Sequence, residues 1–240
     1  NPALNNSING IERFTRLVLE NSSASRIESG VIKIPVVIHN LYHTPGEKIS
    51  DAQVASQLEL LNKCFRRKNA DSVNTPAVFK GLAADCEIEF QLATSDPRKR
   101  ATTGIIRKYT PVSKWIMDDK MKFSAEMGDD AWDSKSYLNI WVCNMEKFAG
   151  YASMVGGPED VDGIVMGIAA FGGTNKTIVH ETGHWLGLKH IWGDEYCGDD
   201  GVNDTPKQAS YTTGCPTTIR VTCGNGPTGD MYNNYMDFTN

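Results

Sequence analysis

Apolar positions along the chain recur mostly at every second residue in short runs, and at helical spacing in one clear stretch. Val31 to His39 is dense in β-branched residues and predicts a strand. Pro35 within it has no N–H to donate and predicts a donor side that is not fully paired, as on an edge. Ser50-Asp51-Ala52-Gln53 has the form of a capping box, and Val54, Leu58, Leu61 and Phe65 follow it at spacings of four, three and four. That pattern predicts an amphipathic helix running to about Lys68. Glu87 to Ala93 alternates, with Ile88, Phe90 and Leu92 on one face, and Thr103 to Lys108 predicts a short third strand. Tyr137 to Met145 puts Leu138, Ile140 and Val142 on one face, and Gly163 to Ala170 is a further strand bounded by glycine. Gly172-Gly173-Thr174 then introduces a second helix, with Thr174 as its cap. Residues 109–136 show no regular period, and everything after His190 is loop-rich. Strands and helices mix without strict alternation, which gives an α/β (α+β) class: a twisted mixed sheet with helices, then a small irregular lobe.

The second helix carries the candidate chemistry, His180-Glu181-Thr182-Gly183-His184-Trp185-Leu186-Gly187-Leu188-Lys189-His190. His180 and His184 stand one turn apart on one helix face, so both imidazoles reach a single cation. Glu181 overhangs the same point, Gly187 supplies the positive φ of a helix end, and His190 returns as a third nitrogen. Three imidazoles with one open position describe catalytic zinc, whereas structural zinc is closed by four ligands and is rich in Cys. With 5 His, 12 Glu and 22 Gly in 240 residues, a chance match to this spacing is on the order of one in a hundred thousand. The acidic segment that follows reads as a calcium loop: Asp200, Val202 through its carbonyl, Asp204 and Thr205 offer hard oxygens around a flexible Gly, though not at EF-hand spacing. His39 and His43 are also four apart, but on a strand end and a loop, and read as ordinary core or surface residues.

Composition narrows the setting. At 240 residues the chain fits one large domain or two subdomains sharing a cleft, and it has neither an internal repeat nor a dividing linker. No apolar run is long enough to span a membrane. The net charge of −5 speaks against nucleic acid as a partner, and the densest basic run, Arg98-Lys99-Arg100, reads as a solvated turn. Residues 1–30 are polar around one amphipathic piece, Ile11 to Leu19, and read as an N-terminal arm or the remnant of a pro-segment. Residues 31–240 are then the catalytic domain, with an upper subdomain of about 31–187 and a lower one of about 188–240. Six Cys allow 15 pairings. Cys197, Cys215 and Cys223 lie in a Gly/Asp/Thr-rich stretch that buries little, which points to disulfides and export, with a reduced cytosolic enzyme as the alternative. Cys64 with Cys86 is a further expected pair, and Cys143 an expected buried thiol.

A methionine follows in Asn234-Tyr235-Met236-Asp237, 46 residues beyond His190, and the extended motif with this later Met resembles metzincin metallopeptidases. The match is closer still to the pappalysin family and its microbial ulilysin-like members. It includes His184-Trp185-Leu186-Gly187-Leu188, Ile191-Trp192-Gly193 and Asp200-Gly201-Val202-Asn203-Asp204-Thr205-Pro206. Upstream, Leu61-Asn62, Phe65-Arg66, Ala83-Ala84-Asp85 and Thr103-Gly104-Ile105 fit as well, so the likeness covers about residues 30–240.

The resemblance implies a metzincin-like sheet with a backing helix and an active-site helix, and a secreted zinc endopeptidase acting on protein or peptide substrates. Glu181 would serve as general base and acid toward a zinc-activated water, and Met236 as the apolar floor beneath the metal. The strand near Gly163–Ala170 would form the upper rim of the cleft and pair with substrate. The resemblance further implies a preference for Arg just after the scissile bond, read by an acidic residue at a position beyond Asn240. It also implies structural calcium in the acidic loop, a Cys197–Cys223 disulfide, and a partner for Cys215 beyond Asn240. In one respect the chain departs from the pattern. Metzincins such as astacins and pappalysins often carry a Tyr two residues after the Met, and here that position is Phe238. Loss of one oxyanion donor costs about 3 kcal/mol where it is used, so a reduced activity is expected.

Two alternatives follow. One is a catalytically silent, zinc-stabilised peptide-binding or toxin module. The other is a latent zymogen, with self-processing at Ser25-Arg26 or a zinc block by Glu12 or Glu20; a cysteine switch from the arm is excluded, because no Cys precedes Cys64. The sequence leaves the oligomeric state open.

Overall fold

The structure is a computed structural model that describes residues 30–214 and 216–239. The expectations for the N-terminal arm (Glu12, Glu20, the Ser25-Arg26 site) and for Cys215 lie outside the described residues.

A six-stranded sheet is built around its longest strand, β1 (Ile32–Tyr42). The first half of β1 pairs in parallel with β2 (Ile88–Leu92), and its second half with β3 (Ile105–Tyr109). On its other side runs β4 (Leu138–Cys143), also parallel. Beyond β4 lies parallel β6 (Ile164–Gly167), and the last strand on this side is β5 (Gly150–Ala152), antiparallel to β6.

Two expectations are corrected here. β1 is central, not an edge. The N–H groups of Ile32 and Ile38 donate toward the β2–β3 side, so Pro35, at odd register, would face β4, and the β4 ladder begins only at Val36. The proline occupies a place where no partner carbonyl waits. The strand near Gly163–Ala170 is likewise not the rim. It is held between β4 and β5, and its last part, Ile168–Ala170, turns into a short 3-10 helix. The strand that ends the sheet on this side is β5, which pairs on its outer edge with no strand among the described residues.

Against one sheet face packs α1 (Asp51–Phe65), whose capping box forms as its sequence predicts: Ser50 Oγ accepts from Gln53 N at 3.2 Å, and Ser50 N donates to Gln53 Oε1 at 2.9 Å. Val54, Leu58, Leu61 and Phe65 meet Val36, Ile38, Phe90, Leu138, Ile140 and Val142 in the main core. The helix stops short of Lys68 because Arg67 takes a left-handed conformation.

The aperiodic residues 109–136 cover the opposite face with two short 3-10 turns, Lys120–Lys122 and Ser124–Glu126. Trp115 and Met121 pack there on Leu41, Trp141, Cys143 and Val165. Polar groups are buried with them. His39, fully buried, donates from Nδ1 to Asp129 Oδ2 at 2.7 Å, and Lys108 reaches the other oxygen at 3.1 Å. Lys122, also buried, binds Val161 O at 2.7 Å and Asp119 at 2.8 Å and lies over the Trp141 and Tyr151 rings. Since Tyr151 belongs to β5 and Val161 to the loop after it, this lysine braces β5.

The segment after His190 is irregular and has its own small core of Ile191, Trp192, Met231 and Met236 with Phe79. A two-residue parallel pair, β7 (Thr213–Gly214) with β8 (Phe238–Thr239), and Asp237, which accepts from Thr212 N and Gln208 Nε2, tie it together. Cys197 and Cys223 form a disulfide, whereas Cys64 and Cys86 are both free: Cys64 is buried beneath the Tyr235 hydroxyl, 3.3 Å away, and Cys86 is exposed. Cys143 is the buried free thiol expected.

Candidate active site

The second helix, α2 (Thr177–Trp185), begins later than its sequence suggests. Thr174 does not cap it; Asn175 Oδ1 accepts from Thr177 N at 2.8 Å, and Lys176 occupies the cap position. The C-terminus follows expectation. Gly187 has φ +96°, its N–H donates to His184 O, and Leu188 N–H donates to Gly183 O, which is the paired bonding of a Schellman turn. That turn also delivers the Leu188 carbonyl to His184 Nδ1 at 2.8 Å.

His180, His184 and His190 converge, and they are the one such group of His, Cys, Asp or Glu ligand atoms among the described residues. The Nε2 of His184 lies 3.0 Å from that of His180 and 3.1 Å from that of His190. Each Nδ1 faces an acceptor: Tyr235 O at 2.6 Å, Leu188 O at 2.8 Å and Asp194 Oδ1 at 2.5 Å, for His180, His184 and His190 in turn. An Nδ1 against an oxygen must carry the proton, so in the neutral ring Nε2 is bare. Three lone pairs therefore point at one spot. Zn–N bonds of about 2.0–2.1 Å in a tetrahedron separate nitrogens by roughly 3.3 Å, close to what is seen, so the donor set fits zinc. Burial favours the neutral form: it lowers His180 to about 4 and also depresses His184.

Glu181, 7% exposed, lies beside the triad and accepts no hydrogen bond among the described residues; burial alone pushes its carboxyl up to about 7. Strand β5 packs on α2, and Gly150 is the closest approach: a Cβ there would stand 3.2 Å from Glu181 Cγ and 2.9 Å from Val165 O. Met236 lies beneath α2 with its sulfur against Gly183, where a Cβ would come within 2.4 Å. Phe238 sets its ring tilted at 5.5 Å from His180 and edge-on at 5.0 Å from His190, with no hydroxyl to offer. The Tyr235 hydroxyl is spent on Cys64 and Asn69. Trp185 packs against the main core and donates to Asp162, whereas Leu186 and Leu188 are exposed.

The acidic loop closes on itself. Asp199 accepts from Gly201 N, Asp200 from Val202 N at 2.9 Å, and the Val202 carbonyl from Thr205 N. Asp200, Val202, Asp204 and Thr205 thus share one turn, with the Thr205 side chain bonded to Asp200.

Sequence reading overlooked Gly150, the Tyr235 carbonyl and Asp194. Only Asp194 had a local signal, an acidic residue four after a ligand; the others arrive from distant segments.

Comparison with known proteins places these features in context. A family model described as pregnancy-associated plasma protein-A, a peptidase family, matches residues 122–240. Mature mirolysin of Tannerella forsythia, solved in complex with a cleaved peptide, is 43% identical at a TM-score of 0.85, over 88% of this chain and 85% of that one. A promirolysin variant from the same organism is 41% identical at a TM-score of 0.86, over 95% and 80%. An extracellular metalloprotease of Pyricularia oryzae is 49% identical over 65 residues, 27% of this chain and 23% of its own length. The chain matches less than a quarter of the length of such fungal relatives.

Proposed function

The chain belongs to the pappalysin family of metzincin metallopeptidases, and from that premise we propose an exported zinc endopeptidase that hydrolyses extended protein segments. The observation that carries the proposal is the convergence of three bare imidazole nitrogens beside a buried, unbonded carboxylate. His180, His184 and His190 hold the metal. When bound, zinc supplies Lewis acidity, making water more acidic and polarising the scissile carbonyl. Glu181 takes the proton of the attacking water and hands it to the leaving amine, so the peptide bond breaks without a covalent intermediate. Burial raises its affinity for a proton, which favours uptake of the proton from water.

The outer edge of β5 aligns the substrate as an added antiparallel strand, a reading supported by its place at the end of the sheet against α2. Met236 is the floor of the site. Residues of about 31–187 and 188–240 act as upper and lower jaws. A preference for Arg after the scissile bond follows from the family alone. Calcium in the Asp200–Thr205 turn is supported by its oxygen-rich side chains and by burial that raises Asp200. Export is supported by the Cys197–Cys223 bond and by relatives named extracellular.

The test is cleavage of a mixed peptide library with and without a zinc chelator, alongside Glu181→Ala. Chelator-sensitive cuts that vanish in the variant support the mechanism, and cuts clustered before Arg support the specificity. Stoichiometric zinc with no cleavage would favour the silent binding module, for which Phe238 is the supporting feature.

A further inference from the structure

We infer that Asp194 is a positioning residue of the metal centre: its carboxylate locks His190 in the tautomer that presents Nε2 and strengthens the hold of that nitrogen on the metal. The inference rests on the reading of the histidine triad as a metal site.

The three Nδ1 groups are not served alike. His180 and His184 donate to backbone carbonyls, neutral acceptors fixed by the Met236 turn and by the Schellman turn. His190 donates to an anionic side chain, at the shortest distance of the three, 2.5 Å. A carboxylate behind an imidazole pushes electron density toward the far nitrogen and strengthens its bond to a cation. It also adds a negative charge close to a divalent ion held by neutral ligands alone.

The backbone is shaped to bring this about. Gly193 and Asp194 take consecutive left-handed conformations, φ +64° and +59°, so the chain reverses immediately after Trp192 and sets Asp194 back against the ring four residues before it. Gly193 has no substitute in this turn, since a Cβ would come within 2.4 Å of Asp199 N. A left-handed aspartate is an uncommon conformation, of the kind that collects at functional sites. Trp192 completes the mount by stacking on the imidazole at 4.3 Å and 6°. The indole fixes the plane of the ring, and the carboxylate fixes which edge faces the metal. Asp194 has no comparable use in folding. Its side chain is 64% exposed, and an ion pair that open to water contributes little.

The test compares wild type with Asp194→Asn, which keeps the size and the tolerance for left-handed backbone, and with Asp194→Gly, which removes the side chain without strain. Zinc affinity is measured by competition with a chromophoric chelator, the cobalt-substituted visible spectrum is recorded, and the metal-free proteins are melted. The expected result is a loss of zinc affinity of roughly 10- to 100-fold in both variants, a shifted cobalt band, and unchanged metal-free melting. Wild-type affinity with an unshifted band in Asp194→Asn would overturn the inference and leave the metal reading intact. Metal-free melting that falls in both variants would make Asp194 a structural residue and overturn it equally. A wild type that binds no zinc would sink the metal reading and this inference together.

Discussion

Glu181 is held on the buried side of α2 with no donor bonded to it among the described residues, and burial alone raises its carboxyl. A group so placed has no structural task that an amide could not perform. Glu181→Gln should therefore fold and retain zinc while kcat falls by about 10²–10⁴-fold, the usual worth of a general base; metal analysis beside peptide kinetics checks both halves. Phe238 makes the opposite case. Its ring already lies within 5.0–5.5 Å of two ligand rings, so Phe238→Tyr adds one hydroxyl where developing charge can use it. The expected outcome is a rise in kcat of about tenfold or more with KM nearly unchanged, the signature of an interaction made in the transition state. At this scale the site was highly legible. The three ligands and their base lie within eleven consecutive residues, and helix geometry alone brings two of them together. What holds the ligands was less so: the carbonyl behind His180 arrives from 55 residues away, and a carbonyl is the same atom in every residue.

Elements were legible in proportion to their length. α1, β2 and β4 announced themselves by period, and β1 by its density of β-branched residues, because each is long enough to carry a pattern. β5 has three residues, one of them glycine, and no period can be read from so few. Yet it is the strand nearest the chemistry, and Gly150 explains its composition: the backbone must lie flat on Glu181. In Gly150→Ala the added Cβ would press first on the Val165 carbonyl of β6, at 2.9 Å, and then on Glu181 Cγ, at 3.2 Å, so β5 should shift with the Glu181 side chain and kcat should fall by about 10- to 100-fold, read from peptide kinetics beside circular dichroism; displacement of about 1 Å is enough for such a loss. Pro35 misled for a related reason. A missing donor marks a place with no partner carbonyl, and a partner strand that starts one residue later leaves such a place inside a sheet as well as at its edge.

Across the molecule, stability is divided between unlike halves. The sheet half buries charge. Burial works to raise Asp129, but hydrogen bonds from His39 and Lys108 outweigh it and hold the carboxyl below the usual range. A carboxylate depressed by folding adds stability that is fully present above its unfolded value, near pH 4, and is lost as pH falls through its folded value. Melting temperature should accordingly drop below about pH 4. Asp129→Asn should flatten that drop and cost about 3 kcal/mol at neutral pH, as measured by denaturant titration, because the buried His39 Nδ1–H loses its anionic acceptor and Lys108 its counter-charge. The irregular half depends instead on its cross-link. Closing a 26-residue separation is worth about 3.5 kcal/mol in lost chain freedom, so reductant should loosen the segment after His190 first, as hydrogen exchange would reveal.

If the outer edge of β5, unpaired among the described residues, aligns the substrate as proposed, it also decides which proteins this enzyme could consume. An edge that reads main-chain groups accepts only a strand whose own N–H and C=O are unspent, and a segment inside a folded domain has none to give. Cleavage of a folded protein must then wait for its target stretch to open. Where opening is fast and reversible, the rate follows the population of the opened form, falling about tenfold for each 1.4 kcal/mol of local stability. Such an enzyme would sort potential prey by looseness before it sorted them by sequence.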